Sequence, residues 1–237
     1  MCKLFVLTKT QDLTETQLKK LIRETSKELL VGNSDGFGYS IATSQGFYGE
    51  RFTETNSMSF THFGERSNIN GPSDEYIFGD EIQNSFGILS PHSGGLIVHA
   101  RTSTNKLGLV NTHPFNSERY SLVHNGVVDN VGVEVDRVSD NDSEYILRHY
   151  DSGGIDNVVN SVSGYYALGI LDADTGNTIV VRDATANLYG AYFKSIDAYA
   201  FATTKKTLEI ASRVLKSKCV IREVKTNTAM VFSREGF

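Results

Sequence analysis

The second residue of the chain is a cysteine, Cys2, and its place beside Met1 gives it a particular chemistry. Methionine is generally removed before a small residue, so processing would leave Cys2 with a thiol and a free α-amine. That amine titrates at about 8 and can accept a proton at neutral pH. A thiol and a base on one residue make a nucleophile that attacks an amide or ester carbonyl. The simpler interpretation is a structural cysteine buried at the start of a core strand. The other candidate site residues in the chain decide between this interpretation and a catalytic one.

Asn125 and Gly126 follow the short apolar segment 121–124 and are candidate hydrogen-bond donors. A strand that ends in Asn-Gly presents a side-chain amide beside a backbone N–H. Both groups can donate to an oxyanion that develops during attack on a carbonyl. The same dipeptide is common in type I′ turns, which would explain it without any catalytic role.

Two charged residues complete a possible ligand site. Arg101 ends the apolar run 96–100 and could pair with a carboxylate through two hydrogen bonds, although a surface arginine would be unremarkable there. Asp142 stands at a predicted helix start, where acidic residues are favoured by the helix dipole, and it could bind an ammonium group. A carboxylate site, an ammonium site and a nucleophile with oxyanion donors suit an amino acid with a side-chain amide, which is glutamine or a close relative.

The elements that must position these residues are strands and a few helices. Thr14 and Gln17 form a capping-box pattern at the start of a helix predicted over 14–30. Further helices are predicted at 141–150 and 204–215, and strands at 3–8, 37–42, 46–51, 96–101, 121–126, 164–171, 178–182, 188–193, 199–202, 219–224 and 229–232. Strands joined by hairpins, with helices set apart, predict an α+β layered fold in a single domain over 1–237. Residues 52–94 are predicted to be a polar insertion.

Composition excludes several classes of protein. The net charge of −5 disfavours a nucleic-acid-binding role, and no apolar run approaches the roughly 18 residues of a membrane span. The first residues are too soon polar for a secretory signal, so we expect a cytoplasmic protein. Two cysteines, Cys2 and Cys219, make a disulfide framework implausible. The six histidines are scattered without the spacing of a zinc site, so we expect neither a metal nor a cofactor.

The order of the motifs resembles that of the class II glutamine amidotransferases, which are N-terminal nucleophile hydrolases. After Cys2 the chain carries DGFG at 35–38, HARTST at 99–104, NTHPF at 111–115, HNG at 124–126 and NDSE at 141–144. Each motif is weak alone, whereas five in this order are a strong signal. The resemblance is to the compact single-domain members and implies a four-layer αββα sandwich of two mostly antiparallel sheets.

The resemblance also implies roles for particular residues. Cys2 would be the nucleophile, and Asn125 with the Gly126 backbone would form the oxyanion hole. Arg101 would bind the α-carboxylate of glutamine and Asp142 its α-ammonium. The reaction would pass through a γ-glutamyl thioester, which water hydrolyses to glutamate.

Three further residues concern the wall of the glutamine pocket. Thr104 and His113 fall where related enzymes line it. Thr102 stands where many relatives carry a larger and often aromatic residue, which would alter the pocket wall.

Three functions remain open. The leading one is a glutaminase that passes ammonia to a separate synthase, since no phosphate-binding loop or synthetase segment is found in the chain. A γ-glutamyl amidohydrolase acting on a peptide or conjugate would share all five motifs. A catalytically silent binding or scaffold subunit would keep the fold and would be favoured if Met1 were retained.

Overall fold

The computed structural model describes residues 2–43, 46–53, 56–61, 64–69, 94–103, 107–130 and 138–233. Within them the chain forms the helices α1 (Glu15–Leu30), α2 (Asp142–Ser161) and α3 (Lys205–Val214), with short 3-10 helices at Leu109–Asn111 and Lys194–Ile196. The strands are β1 (Lys3–Leu7), β2 (Gly36–Thr43), β3 (Gly46–Phe52), β4 (Asn56–Thr61), β5 (Gly64–Ile69), β6 (Leu96–Arg101), β7 (Phe115–Asn116), β8 (Tyr120–Asn130), β9 (Val162–Asp172), β10 (Thr178–Arg182), β11 (Tyr189–Phe193), β12 (Ala198–Ala202), β13 (Arg222–Glu223) and β14 (Met230–Phe232).

The described strands form two antiparallel sheets. One has nine strands in the order β13-β11-β12-β1-β6-β2-β3-β4-β5, and the other has five in the order β14-β10-β9-β8-β7. The strand that follows Cys2, β1, lies inside the larger sheet and pairs with β6 on one side and β12 on the other. β8 lies inside the smaller sheet, between β7 and β9.

The sheets pack face to face and helices cover their outer faces. Val6 and Ile97 of the larger sheet share an apolar core with Val123 of the smaller one. Leu21 of α1 and Leu208 of α3 are buried against the outer face of the larger sheet. The smaller sheet is covered by apolar side chains of α2. Burying each such side chain contributes about 1.5–3 kcal/mol. The predicted α+β fold, an αββα sandwich, is confirmed.

Helix α1 is fixed at both ends, and the sequence predicts the contacts at its start. The Thr14 side chain accepts from the Gln17 N–H, and the Gln17 side chain accepts from the Thr14 N–H, which completes the capping box. At the other end Lys3 donates from Nζ to the carbonyls of Glu28 and Val31, at 3.0 Å each. Because Lys3 follows Cys2, the end of α1 is tied to the start of β1.

Strand β8 departs from the prediction, since it runs on through Asn125 and Gly126 instead of ending there. Asn125 pairs with Ala167 and Gly126 with Tyr166, so the Asn-Gly pair forms no hairpin turn. A Cβ on Gly126 would collide with the carbonyl oxygen of Tyr165. Glycine is therefore required here by the close approach of β9.

Helix α2 is longer than the predicted 141–150. It continues to Ser161 across a break at Gly153 and Gly154, where Gly154 has φ +66°. Glycine adopts this left-handed conformation at little cost, and the chain then resumes its helix. The stretch after Tyr150 is polar and has little helical periodicity, so the sequence pattern does not predict that the helix continues beyond residue 150.

Other boundaries differ by a few residues. The strand predicted at 219–224 is confined to Arg222–Glu223. Within the predicted insertion 52–94, β4 and β5 extend the larger sheet, whereas 70–93 lie outside the described residues. None of the helices described is long and apolar enough to cross a membrane.

Candidate active site

The thiol of Cys2 lies beside the end of β6. The Cys2 S–H donates to the Thr102 carbonyl, and the Thr102 N–H approaches the same sulfur, each at 3.4 Å. Burial raises the pKa of the Cys2 thiol; the Thr102 backbone and Arg101 lower this pKa, and Asp142 raises it. The net pKa is above the ordinary value. The thiol is therefore protonated at neutral pH and needs a base before it can attack a carbonyl.

A cavity of about 60 Å³ opens beside this thiol. Its walls come from both sheets, from the loop after β6 and from the start of α2. Five of the seven predicted site residues line it, namely Cys2, Arg101, His113, Gly126 and Asp142. The other walls are Thr102, His124, Val127, Asn141, Ser143 and Tyr165. The structure thus brings a thiol, a guanidinium and a carboxylate around one space.

The other two predicted residues are placed differently. Asn125 is buried but does not line this cavity. Side chains alternate along a strand, so Asn125 points to the same face of β8 as Val123, toward the sheet that carries Cys2. Its Oδ1 is buried and has no hydrogen-bond partner within the described part of the chain. Thr104 lies outside the described residues.

Within the described part of the chain, no strand pairs with the edge of β8 that faces the cavity beyond Leu122, because β7 pairs only with Ser121 and Leu122. Main-chain groups of residues i and i+2 in an antiparallel strand point to the same edge. The His124 carbonyl accepts from His99 Nε2, and the Val128 N–H donates to Asp142 Oδ2, each at 2.9 Å. Gly126 lies between them, so its N–H points to this same edge.

The start of α2 holds Asp142 in place. Asn141 caps the helix by accepting from the Ser143 N–H at 2.9 Å. Ser143 also contacts His124, with 2.9 Å between Oγ and Nδ1. Asp142 is partly exposed, with its second oxygen 3.9 Å from His124 Nδ1. The carboxylate is therefore anchored to β8 while part of it faces the cavity.

Three buried histidines, His99, His113 and His124, form a group beside the cavity that we call the histidine stack. The ring centroids of His99 and His113 are 3.8 Å apart, and those of His113 and His124 are 6.5 Å apart. Burial lowers the pKa of His99 to about 3, and it also lowers the pKa values of His113 and His124. The stack is therefore neutral at physiological pH. No group of metal-ligating side chains with suitable geometry occurs among the described residues.

Sequence reasoning missed the residues that hold this site together. Asp35 Oδ2 accepts from the Ser103 N–H at 2.7 Å and so fixes the turn after Arg101. Gly38 has no room for a Cβ, which would collide with the His113 carbonyl. Both belong to the DGFG motif, whose sequence alone does not indicate what these two residues do. Their role depends on contacts across more than 60 positions of the chain, and no local pattern reports such contacts.

A larger groove of about 900 Å³ lies elsewhere, between the edges of the two sheets at β11–β14. Its floor is aromatic and includes Tyr199, Phe201 and Phe232. None of the predicted site residues lines it. The predicted residues that line the smaller cavity, and not its size, therefore mark it as the candidate site.

Comparisons with known proteins show which family this chain resembles. Residues 99–210 match the family model of a glutamine amidotransferase domain. Glutamine–fructose-6-phosphate aminotransferase (isomerizing) of Oceanobacillus iheyensis is 29% identical over 60% of this chain and 28% of its own length. The enzyme of the same name from Shouchella clausii is 27% identical over 90% of this chain and 37% of its own length. The chain thus spans well under half of these relatives.

Among solved structures, the glutamine phosphoribosylpyrophosphate amidotransferase of B. subtilis superposes with a TM-score of 0.61 at 20% identity, over 99% of this chain and 48% of that one. This likeness shows a shared fold. The family match covers Arg101 at the end of β6, the HNG segment and the start of α2, and Cys2 lies before it. The resemblance of the chain to class II glutamine amidotransferases, which the order of its motifs predicts, is therefore confirmed.

Proposed function

We propose that this chain hydrolyses the side-chain amide of glutamine through a γ-glutamyl thioester on Cys2. The observation that carries the proposal is the shared cavity, where a thiol meets the Arg101 guanidinium and the Asp142 carboxylate. These charges complement the α-carboxylate and the α-ammonium of an amino acid. The thiol at the same cavity would reach the side chain of that amino acid.

The Cys2 α-amine, freed by removal of Met1, is the proposed base. It accepts the thiol proton as Sγ bonds to the side-chain carbonyl carbon of glutamine. The carbonyl oxygen becomes an oxyanion, which accepts hydrogen bonds from the Gly126 N–H and the Asn125 amide. Among the described residues β7 pairs with β8 only at Ser121 and Leu122, which supports the role of the Gly126 N–H. Asn125 lies on the face of β8 toward the sheet that carries Cys2, which supports the role of its amide. The raised pKa of the thiol is a reason why a base is required.

The second half of the reaction returns the enzyme to its starting state. The proton passes from the amine to the leaving nitrogen, the C–N bond breaks and ammonia departs. Water then attacks the thioester, giving its proton to the amine, which returns a proton to Sγ as glutamate leaves. We propose that His113, a wall of the cavity, contributes to the glutamine pocket as a neutral ring. Thr104 keeps its predicted role in the same pocket.

The ammonia is proposed to pass to a separate synthase. The names of the relatives describe transfer of an amino or amido group to a sugar phosphate or a phosphoribosyl compound. A cytoplasmic location and a single domain over 1–237 remain predictions.

Processed protein and its Cys2→Ala variant test the proposal directly. Intact mass first establishes that Met1 is absent. Glutamate release from glutamine should be measurable in the processed protein and should fall by at least about 10³-fold in Cys2→Ala. Unchanged activity in that variant would show that the thioester mechanism is wrong. Full activity in a preparation that keeps Met1 would exclude the α-amine as the base.

A γ-glutamyl amidohydrolase is the second candidate, favoured by the small side chain of Thr102 at the cavity wall. Thr102 Oγ1 hydrogen-bonds to Asn33 and so turns away from a larger ligand. A panel of glutamine, γ-glutamyl peptides and γ-glutamyl thiol conjugates separates the two candidates. Cleavage of the peptides with negligible glutamine turnover would favour this second function.

A further inference from the structure

The proposed catalytic groups are divided between the two sheets. Cys2 directly precedes β1 and Arg101 ends β6 in the larger sheet, whereas Asn125 and Gly126 belong to β8 of the smaller one. The sheets meet through apolar side chains, and apolar contact has little directional preference. An oxyanion donor must lie within about 2.7–3.1 Å of the developing charge. Something directional is therefore needed to hold β8 in register with the thiol.

His99 supplies a directional link. It lies on β6, two residues before Arg101, and its Nε2 is 2.9 Å from the His124 carbonyl oxygen on β8. A carbonyl only accepts hydrogen bonds, so Nε2 carries the proton and Nδ1 is bare. Nδ1 has no hydrogen-bond partner in the described part of the chain. The bond to β8 thus fixes the tautomer of the ring.

The chemistry of His99 keeps this link constant. The ring is fully buried and stacks on His113. Its pKa of about 3 means that the ring stays neutral across the physiological range. A neutral ring with one proton can donate to β8 and cannot repel the nearby Arg101. His99 is thus suited to hold β8 in position. Its side chain does not line the cavity, so it is not placed to act there as an acid or a base.

The hydrogen bond from His99 to the His124 carbonyl lies next to the proposed oxyanion donors. The His124 carbonyl and the Gly126 N–H are neighbouring groups on the edge of β8 that faces the cavity. Each peptide unit is planar, so fixing the carbonyl also fixes the peptide that leads into Asn125. We propose that His99 is a positioning residue, whose hydrogen bond to His124 aligns the Asn125 and Gly126 donors of one sheet with Cys2 of the other. The inference rests on the proposed function of these donors.

Two variants of processed protein test the proposal. His99→Leu removes the donor, whereas His99→Gln keeps an N–H donor on a side chain of related length. We expect His99→Leu to lower kcat for glutamine by about 10- to 100-fold with KM changed by less than about threefold. His99→Gln should recover part of kcat. Thermal unfolding of each variant identifies any loss that reflects instability.

Alkylation of Cys2 by iodoacetamide is the second measurement, because it needs a reactive thiol and no oxyanion donor. Its rate should stay within about twofold of wild type in both variants. An unchanged kcat in His99→Leu, or alkylation that falls as much as kcat, would overturn the proposal. No recovery by His99→Gln would also count against it.

Backbone amide NMR shifts test the positioning role of His99 separately from the proposed hydrolysis of glutamine. The Asn125 and Gly126 N–H resonances should move in His99→Leu and move less in His99→Gln. If wild-type protein does not hydrolyse glutamine, the proposed function fails, while these shifts still report whether His99 holds β8. Shifts that do not move would reject the positioning role whatever the activity.

Discussion

The two sheets contribute to the candidate site in different ways. The larger sheet presents side chains at strand ends, since Cys2 precedes β1 and Arg101 is the last residue of β6. The smaller sheet presents a main-chain edge in the middle of a strand, which has no neighbouring strand among the described residues because β7 stops early. The first contribution depends on residue type, whereas the second depends on where a neighbouring strand ends. Local sequence can therefore suggest each group of the site, but it cannot show that the edge of β8 at Gly126 is left without a neighbouring strand.

Replacing the proposed side-chain donor on the smaller sheet should have the largest effect. Asn125→Ala removes one oxyanion donor, and we expect kcat for glutamine to fall by about 10²- to 10³-fold with little change in KM. Steady-state kinetics checks this, with iodoacetamide alkylation of Cys2 as the control that should stay normal. A rise in KM at constant kcat would mean that Asn125 binds substrate and does not stabilise the transition state.

Replacing the charge on the larger sheet should act mainly on binding. Arg101→Met removes a charge-assisted pair worth about 1.5–3 kcal/mol, so kcat/KM for glutamine should fall by roughly 10- to 150-fold, mostly through KM. Asp142→Asn is the matched variant on the other side of the cavity and should also raise KM. If kcat falls in Arg101→Met while KM is unchanged, the guanidinium acts on the chemical step.

Acid should weaken the junction between the sheets. The folded pKa of His99 is about 3, against an ordinary value of 6.5, so the unfolded chain binds the extra proton as pH falls below 6.5. Stability from this group is fully present above pH 6.5 and is lost toward pH 3. His99 alone should lower the free energy of unfolding by about 2 kcal/mol between pH 7 and pH 5. Urea unfolding at both pH values measures it.

His99→Gln is the control for that measurement, since an amide does not titrate. Its free energy of unfolding should depend less steeply on pH than that of wild type, by about 2 kcal/mol over the same interval. Equal slopes would show that His99 accepts a proton as easily in the folded protein as in the unfolded one.

A change on the outer face of the larger sheet should have the smallest effect and should spare the chemistry. Thr14→Ala removes the cap of α1, and we expect a loss of about 1 kcal/mol in unfolding free energy. kcat and KM should be unchanged, because α1 packs on the face away from the cavity. Altered kinetics in this variant would mean that the helix sets the position of β1 through Lys3.

Much of this arrangement could be predicted from the sequence, because it depends on local chemistry. The capping box of Thr14, the hairpin of β2 and β3 and the layered architecture follow from patterns within a few residues. The course of β8 did not follow, since Asn125 and Gly126 have the composition of a turn. Only the close approach of Tyr165 shows why glycine is required there. The role of Asp35 was missed for a related reason, because its partner Ser103 is 68 positions away.

The bonds from Lys3 to the end of α1 have a consequence for the timing of the proposed catalysis. Once Met1 is removed, Cys2 is a terminal residue, and chain termini are usually poorly ordered. Here the next residue is tied to two carbonyls of α1, and β1 is held between two neighbouring strands. The freedom of the thiol is thus lost during folding and need not be lost again in each turnover. A nucleophile at the end of a chain can in this way be as well placed as one in its middle.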